Sequence, residues 1–404
     1  MTAAARPVRT LLFSSLFPSA ARPTFGVFVE TRLRELLKTG EVETRVVAPV
    51  PWFPSKAPRF GDWAAMAATP KTDRRDGVQV HYPRYLLPPK VGMTIAPLTL
   101  ALGARPAIAR LLREGFDFDL IDAHYYYPDG VAAALLSPWF GKPFVVTARG
   151  TDINLIPRYP LPRRMIRWTA GRAYASVGVC QALVDELAAL GADPAKLHVM
   201  RNGVDLERFH PMPQAQCRAA LGLPTDRRVL LSVGHLIERK GHHLAVEALQ
   251  ALPGVHLVIV GEGEERPRLE RLIASLGLGG RVTLAGAQPN ATLAPWYSAA
   301  DALVLASSRE GWANVLLEAL ACGTPVVATA IWGTPEVVSE PVAGRLMAAR
   351  DSASLVGAVE ALFADYPDRA AVRHYAEGFG WAQTSAAQVA LFRELIARVG
   401  ASAA

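Results

Sequence analysis

A chain of 404 residues is too long for one ordinary core and suits two domains of about 200 residues each, since domains usually run to roughly 100–200 residues. At 51% hydrophobic residues it is apolar enough for large parallel sheets covered on both faces. No run of 18 or more uninterrupted apolar residues occurs, which excludes a membrane-spanning segment as an expectation. The net charge of +7 is uneven: residues 1–200 carry 25 Lys and Arg against 16 Asp and Glu, and residues 201–404 carry 18 against 20. The basic half fits a nucleic acid, an acidic substrate or an anionic membrane surface. Cys180, Cys217 and Cys322 are scattered without metal-ligand spacing, which argues for a reducing compartment and no structural zinc.

In chain order, Arg9–Phe13 reads as the first strand. The Arg6 and Arg9 that precede its apolar residues resemble a signal peptide only superficially, because Ser14 and Ser15 interrupt the run. Gly26 stands where the backbone turns sharply or approaches something closely, and a helix follows to about Lys38. Strands near Arg45–Ala48 and Val78–His81 flank an excursion over Pro49–Thr69 that carries Pro and Trp. A helix near Leu98–Arg113 leads to a strand over Asp119–Ala123 that ends at His124. Open α/β sheets place ligand-binding residues at the carboxyl ends of parallel strands. The alternative for His124 is a strand-end residue bonded to a neighbouring carbonyl. The next strand, Phe144–Thr147, ends in Arg149-Gly150-Thr151-Asp152.

The segment Arg158–Trp168 mixes four arginines with Tyr, Met, Ile and Trp and lacks acidic residues. That combination suits a peripheral contact with an anionic membrane, the alternative being a solvated helix face over a buried Trp168. Ser176–Cys180, a helix over Gln181–Leu190 and Leu197–Met200 complete a domain of residues 1–201. Asn202-Gly203 marks a turn, and Phe209–Pro213 reads as a linker. The second domain, 202–378, opens with a strand at Val229–Val233 that runs into Gly234–His242, with Lys240 inside the loop. His242-His243 reads as a surface pair at a helix start, not a metal site. Val255–Val260 ends in Gly261-Glu262-Gly263, which lacks the dinucleotide-binding G-x-G-x-x-G spacing.

Residues 301–329 hold the densest chemistry: a strand at Ala302–Leu305, a helix over Asn314–Cys322 closed by Gly323, and a strand at Pro325–Thr329. Glu310 lies in the loop before the helix. Glu318 lies inside it, among Val315, Leu316, Leu317, Ala319 and Leu320, where an unpaired carboxylate costs several kcal/mol, by an order-of-magnitude estimate. A polar partner is therefore expected. The helix start after Gly311 offers N–H groups to an anion. An anion there and hydroxyls beside Glu318 together describe a nucleotide diphosphate joined to sugars, the alternative being a solvated Glu318 and an ordinary loop Glu310. The final helices span about Ser352–Phe363 and Thr384–Arg398, the last belonging to a segment 379–404.

Glu310-Gly311-Trp312-Ala313-Asn314-Val315-Leu316-Leu317-Glu318, followed by Ala319, Ala321, Gly323 and Pro325, resembles the E-x7-E signature of retaining family-4 glycosyltransferases, here of the bacterial cell-surface polysaccharide type. The resemblance implies an α/β GT-B fold, two Rossmann-like domains facing a deep interdomain cleft, with a last helix that crosses back to the first domain. It also implies roles. Glu310 lies by the donor sugar, the backbone of Gly311, Trp312, Ala313 and Asn314 binds sugar hydroxyls and phosphate, and Glu318 takes the ribose hydroxyls. Lys240 is the main cation on the diphosphate. Relatives carry Arg where His235 stands, so either Arg239 or a protonated His235 shares that charge. Asp122-Ala123-His124 followed by Gly130 matches the family's active-site His, which contacts the donor sugar. Gly26, Arg149 and Asp152 fall on the acceptor side. Trp332-Gly333-Thr334-Pro335-Glu336 resembles a Gly-Gly-x-Pro-Glu turn with Trp in the first Gly position.

These readings lead us to expect a metal-independent retaining hexosyltransferase that moves a sugar from a UDP- or GDP-sugar, the nucleotide sugar being co-substrate with no other cofactor. His124, Glu310 and Lys240 carry catalysis. The acceptor is expected to be a glycan or a lipid-linked glycan in polysaccharide synthesis, and the location cytoplasmic, peripheral on the inner face of the membrane. Rival readings are a non-catalytic GT-B module that binds a glycan or partner, and a nucleotide-sugar epimerase. Specific nucleic-acid binding has only the pI of about 9.4 behind it.

Overall fold

Short runs such as VRTLLF, LIDAH and FVVTA, rich in β-branched and aliphatic residues, build the centre of a parallel sheet in the computed structural model, which describes residues 6–89 and 91–403. The chain divides into two units. One contains the residues up to Arg201 and those from Ala382 on; the other is Asn202–Trp381. The return to the first unit thus falls inside the last helix, Trp381–Ala403.

The first unit holds strands β1 (Val8–Phe13), β2 (Val42–Val47), β3 (Val50–Pro51), β4 (Thr72–Arg75), β5 (Val78–His81), β6 (Arg84–Tyr85), β7 (Leu120–His124), β8 (Phe144–Ala148), β9 (Ala175–Gly178) and β10 (Leu197–Val199). Eight of them form one sheet in the order β10-β9-β8-β7-β1-β2-β5-β4, and β3 pairs with β6 apart from it. All pairings in the large sheet are parallel except β4 on β5. The register sets Phe13 opposite Ala123 and His124 opposite Thr147, so the carboxyl ends of β1, β7 and β8 open at the same level. The chain reverses its strand order around β1, the place where such sheets bind ligands.

Strand β4, TDRR, has no apolar alternation to betray it, and its antiparallel place on the sheet edge needs none. The helix foreseen from Leu98 begins at Gly92 and runs to Arg113, through Pro97 and Pro106. By length and composition it could cross a membrane. In the fold, Ala96, Leu100, Ala101, Ala104, Ile108 and Leu111 bury one side of it, while Leu98 and Leu102 stay about half exposed. Val389, Leu391, Phe392 and Leu395 of the last helix join β1, β7, β8 and β9 in one core.

The second unit carries β11 (Arg228–Val233), β12 (Val255–Val260), β13 (Val282–Gly286), β14 (Ala302–Leu305), β15 (Val326–Thr329) and β16 (Gly344–Met347), all parallel, in the order β13-β12-β11-β14-β15-β16. Its order also reverses beside β11, whose neighbours are β12 and β14. The loops after β11 and β14 therefore leave adjacent strands side by side. Helices Gln214–Leu221 and Arg369–Glu377 were not foreseen, the first following directly on the expected linker.

Candidate active site

The loop after β11 and the loop after β14 touch because a glycine lets them. At Gly241 (φ +72°) a Cβ would lie 2.1 Å from the Ala306 carbonyl oxygen, and at Gly234 (φ +151°) one would lie 3.5 Å from the Lys240 stem. Lys240 is thereby folded over Gly234 and directed at the neighbouring loop. Its Nζ donates to Glu310 Oε1 at 2.7 Å, and Ser307 Oγ donates to the same oxygen at 2.7 Å. Arg239 stands 3.5 Å from that oxygen and donates to the Arg309 carbonyl. Burial pushes the Glu310 carboxyl up, but the charges of Lys240 and Arg239 and the two hydrogen bonds outweigh it and hold the group below its ordinary value. Glu310 is thus ionised, and it holds the two cations together at the mouth of the loop.

The helix Asn314–Ala321 follows with no side chain capping its start. Asn314 Oδ1 accepts from Asn202 Nδ2 at 3.2 Å, and Gly333 N donates to the Gly311 carbonyl at 3.3 Å. One turn along, Glu318 meets the polar partners that its setting demanded: Tyr297 Oη donates to Oε2 at 2.7 Å and Asn290 Nδ2 to Oε1 at 3.3 Å. Burial raises the Glu318 carboxyl, and the bonds from Tyr297 and Asn290 offset part of the rise. Glu318 is still partly open to solvent. Tyr297 and Asn290 escaped the sequence reading because they lie on the helix Ala294–Ala299 and just before it, with no spacing that ties them to Glu318.

His235 is exposed, and its carbonyl accepts from His242 Nε2 at 3.2 Å. Between the two candidates for a second phosphate cation, the fold sets Arg239 beside Lys240 on Glu310. The surface reading of His242 is corrected: it is 2% exposed, its Nδ1 meets Ser232 Oγ at 2.8 Å, and burial lowers its pKa to about 4. His242 thus faces the sheet, whereas His243 beside it stays partly open to solvent. Trp312 is 7% exposed, and Trp332 adopts φ +46°, a left-handed conformation natural to the glycine it stands in for.

In the first unit, His124 ends β7 with its ring 1% exposed. Nε2 lies 3.2 Å from Asp122 Oδ2, and Nδ1 meets Arg149 Nη2. Burial first, then Arg149 and Arg32, lower the imidazole to about 4 against the pull of Asp122. Both ring nitrogens are occupied. Arg149, buried and over the Phe28 ring at 5.5 Å, is itself lowered to about 9 by burial and by Arg32. Asp152, expected on the acceptor side, has its carboxylate turned to the backbone. It is fully buried and collects the backbone N–H groups of Tyr126, Arg149 and Gly150 at 2.7–3.2 Å, shaping the turns that present His124 and Arg149. Gly26 (φ +72°) does sit at a close approach, but to the chain itself, since a Cβ there would fall 2.4 Å from the Leu16 carbonyl. Asp129 was missed: buried, it takes Ser15 N at 2.7 Å and Ser15 Oγ at 2.9 Å, joining the loop after β1 to the turn after β7.

The basic-aromatic segment forms the helix Pro160–Arg172. Pro162, Ile166, Thr169 and Ala170 are its buried side, whereas Arg163, Arg164, Arg167 and Trp168 line an open depression with Pro160 and Gly191. Tyr159 and Leu161 are nearly half exposed beside it.

Residues 26–208 match the family model described as Glycosyltransferase Family 4, and residues 214–379 that of Glycosyl transferases group 1. A D-inositol 3-phosphate glycosyltransferase of Mycobacterium tuberculosis is 37% identical over 223 residues, covering 52% of this chain and 46% of the relative. The matched stretch is thus about half the length of that protein. Among solved structures, sucrose-phosphate synthase from Thermosynechococcus elongatus aligns with a TM-score of 0.78 at 21% identity, over 97% of this chain and 100% of the other. HepE of Anabaena, solved in complex with UDP-glucose, aligns with a TM-score of 0.70 at 22% identity, over 96% and 99%.

Proposed function

Because the chain belongs to the family-4 glycosyltransferases and has their GT-B fold, we propose that it transfers a hexose, with retention of configuration and without a metal, from a nucleotide-diphospho-sugar to a glycan or lipid-linked glycan. The observation that carries this is the Lys240–Glu310 pair at the mouth of the Asn314–Ala321 helix, with Glu318 one turn further on. As the sugar–phosphate bond breaks, negative charge grows on the diphosphate. Lys240, Arg239 and the helix start are preorganised to meet it. Glu318, its carboxyl steadied by Tyr297 and Asn290, receives the ribose hydroxyls, and Glu310 the sugar hydroxyls once Lys240 turns to phosphate. The departing phosphate takes the acceptor proton, so neither carboxylate is required as a nucleophile. That HepE was solved with UDP-glucose supports a UDP-sugar as donor.

His124 and Arg149 act in this reading as a pair on the first unit: Arg149 turns to an anionic acceptor group and frees Nδ1 for the donor sugar. We place the reaction on the cytoplasmic face of the membrane, reached through the Arg163, Arg164 and Arg167 stripe. The test is turnover with a panel of UDP-, GDP- and ADP-sugars. Lys240→Ala and Glu318→Ala are each expected to lower transfer about 100-fold or more, the loss typical of removing one preorganised charge-stabilising group. Near-normal turnover in both variants overturns the assignment, and release of a free epimer without acceptor points to an epimerase instead.

A further inference from the structure

The last helix does more than cover the first unit's sheet. Gln388 projects from it into the polar interior, 3% exposed, and donates from Nε2 to Asp122 Oδ2 at 3.2 Å. Its Oε1 accepts from Arg32 Nε at 2.9 Å, and Arg32, on the helix Val27–Leu37 and 2% exposed, also donates to the Met200 carbonyl at 3.0 Å. The amide orientation is not arbitrary. A guanidinium can only donate and a carboxylate can only accept, so Gln388 must turn its oxygen to Arg32 and its nitrogen to Asp122. The same logic settles the imidazole: Arg149 donates to Nδ1, hence the proton of neutral His124 sits on Nε2 and goes to Asp122 Oδ2. One carboxylate oxygen therefore receives both the ring and the returning helix.

We propose that Gln388 is a positioning residue that fixes the ring plane and tautomer of His124 through Asp122, with Arg32 locking the Gln388 amide in the required orientation. This rests on the reading of His124 as part of the transferase site. The groups that face His124 are Asp122 on its own strand, Arg149 from the turn after β8 and Arg32 from the helix Val27–Leu37. Removing the Gln388 donor takes away one of the two hydrogen bonds that hold Asp122 Oδ2, so the carboxylate and the ring bonded to it lose their fixed orientation. Placing a second carboxylate there raises His124 protonation directly, because two buried carboxylates repel and a cationic imidazole relieves them.

The experiment uses the full chain with Gln388→Leu and the isosteric Gln388→Glu, read by turnover against pH, by thermal unfolding and by 15N NMR of the histidine rings. Gln388→Leu is expected to lower kcat about 10- to 100-fold while leaving the donor KM within about twofold, in line with a lost orienting contact. Gln388→Glu is expected to move His124 protonation, and the acidic limb of kcat with it, upward by about one pH unit or more. His242, buried in the other unit, is the internal reference whose resonances stay put. The proposal is overturned if folded variants keep the His124 resonances and the acidic limb of the parent, even where their unfolding temperature falls, because packing alone explains that pattern. If no nucleotide sugar is turned over by the parent protein, the ring resonances still decide the positioning role, and the transferase reading fails separately.

Discussion

Asp129 shows how a single buried group leaves a signature in solution. Burial raises its carboxyl to about 7 from 3.8, against the hydrogen bonds from Ser15. The folded protein therefore binds this proton more tightly than the unfolded chain does. Its stabilising contribution is complete below pH 3.8 and is lost as pH rises through 7. In Asp129→Asn the amide keeps both Ser15 contacts but has no proton to lose. Relative to the parent, this variant is expected to gain about 2–3 kcal/mol between pH 5 and pH 8, measured by urea unfolding at each pH. An equal difference at both values would mean that Asp129 is already ionised in the fold at pH 5. His124 acts with the opposite sign, since its folded value near 4 lies below the unfolded 6.5 and its contribution declines as pH falls through that interval.

At the scale of elements, the second unit depends on loops that touch through backbone. Gly241 closes the short turn Glu238–Lys240 in a left-handed conformation, against Ala306 at the end of β14. Gly222 has a similar φ, +64°, at the end of the helix Gln214–Leu221, but nothing lies within 4 Å of a Cβ built there. The pair separates strain from collision. Gly222→Ala is expected to cost about 1 kcal/mol, the backbone penalty alone, and Gly241→Ala about 2–4 kcal/mol. Differential scanning calorimetry checks this, and the donor KM should rise only in Gly241→Ala, because Lys240 precedes it and swings with the loop. Similar shifts for both variants would show that the two loops can part without consequence.

For the whole molecule, the excess of positive charge in the first half becomes a directed surface once the chain is folded. The helix Pro160–Arg172 buries its apolar side, so its arginines are left together on the other, with no acidic residue between Asp152 and Asp185 in sequence to offset them. Each basic residue near an anionic bilayer contributes about 1 kcal/mol, within a Debye length of about 8 Å at physiological salt. The protein is expected to float with vesicles containing anionic phospholipid and to sink with neutral ones. Replacing Arg163, Arg164 and Arg167 by Glu, or adding 0.5 M salt, should abolish flotation. Flotation without preference for anionic lipid would take the arginines out of the contact, and no flotation with either would remove the membrane from the account.

The sequence by itself determined the two parallel α/β layers, because buried parallel strands read as short apolar runs and their helices as periodic ones. Resemblance to the E-x7-E signature singled out Glu310 and Glu318, and the glycine-bounded loop singled out Lys240, which the fold brings onto Glu310. Strand β4 stayed hidden because an edge strand needs no apolar face. Partners were hidden for a different reason: Tyr297 for Glu318, Ser15 for Asp129, and Gln388 for Asp122 stand 21, 114 and 266 residues away. A buried polar group announces that it needs a partner, but which residue supplies the hydrogen bond depends on where the sheets bring distant segments together. For the same reason, only the tertiary structure decided that Asp152 binds backbone amides, that His242 is interior, and that Arg239 stands with Lys240 beside Glu310.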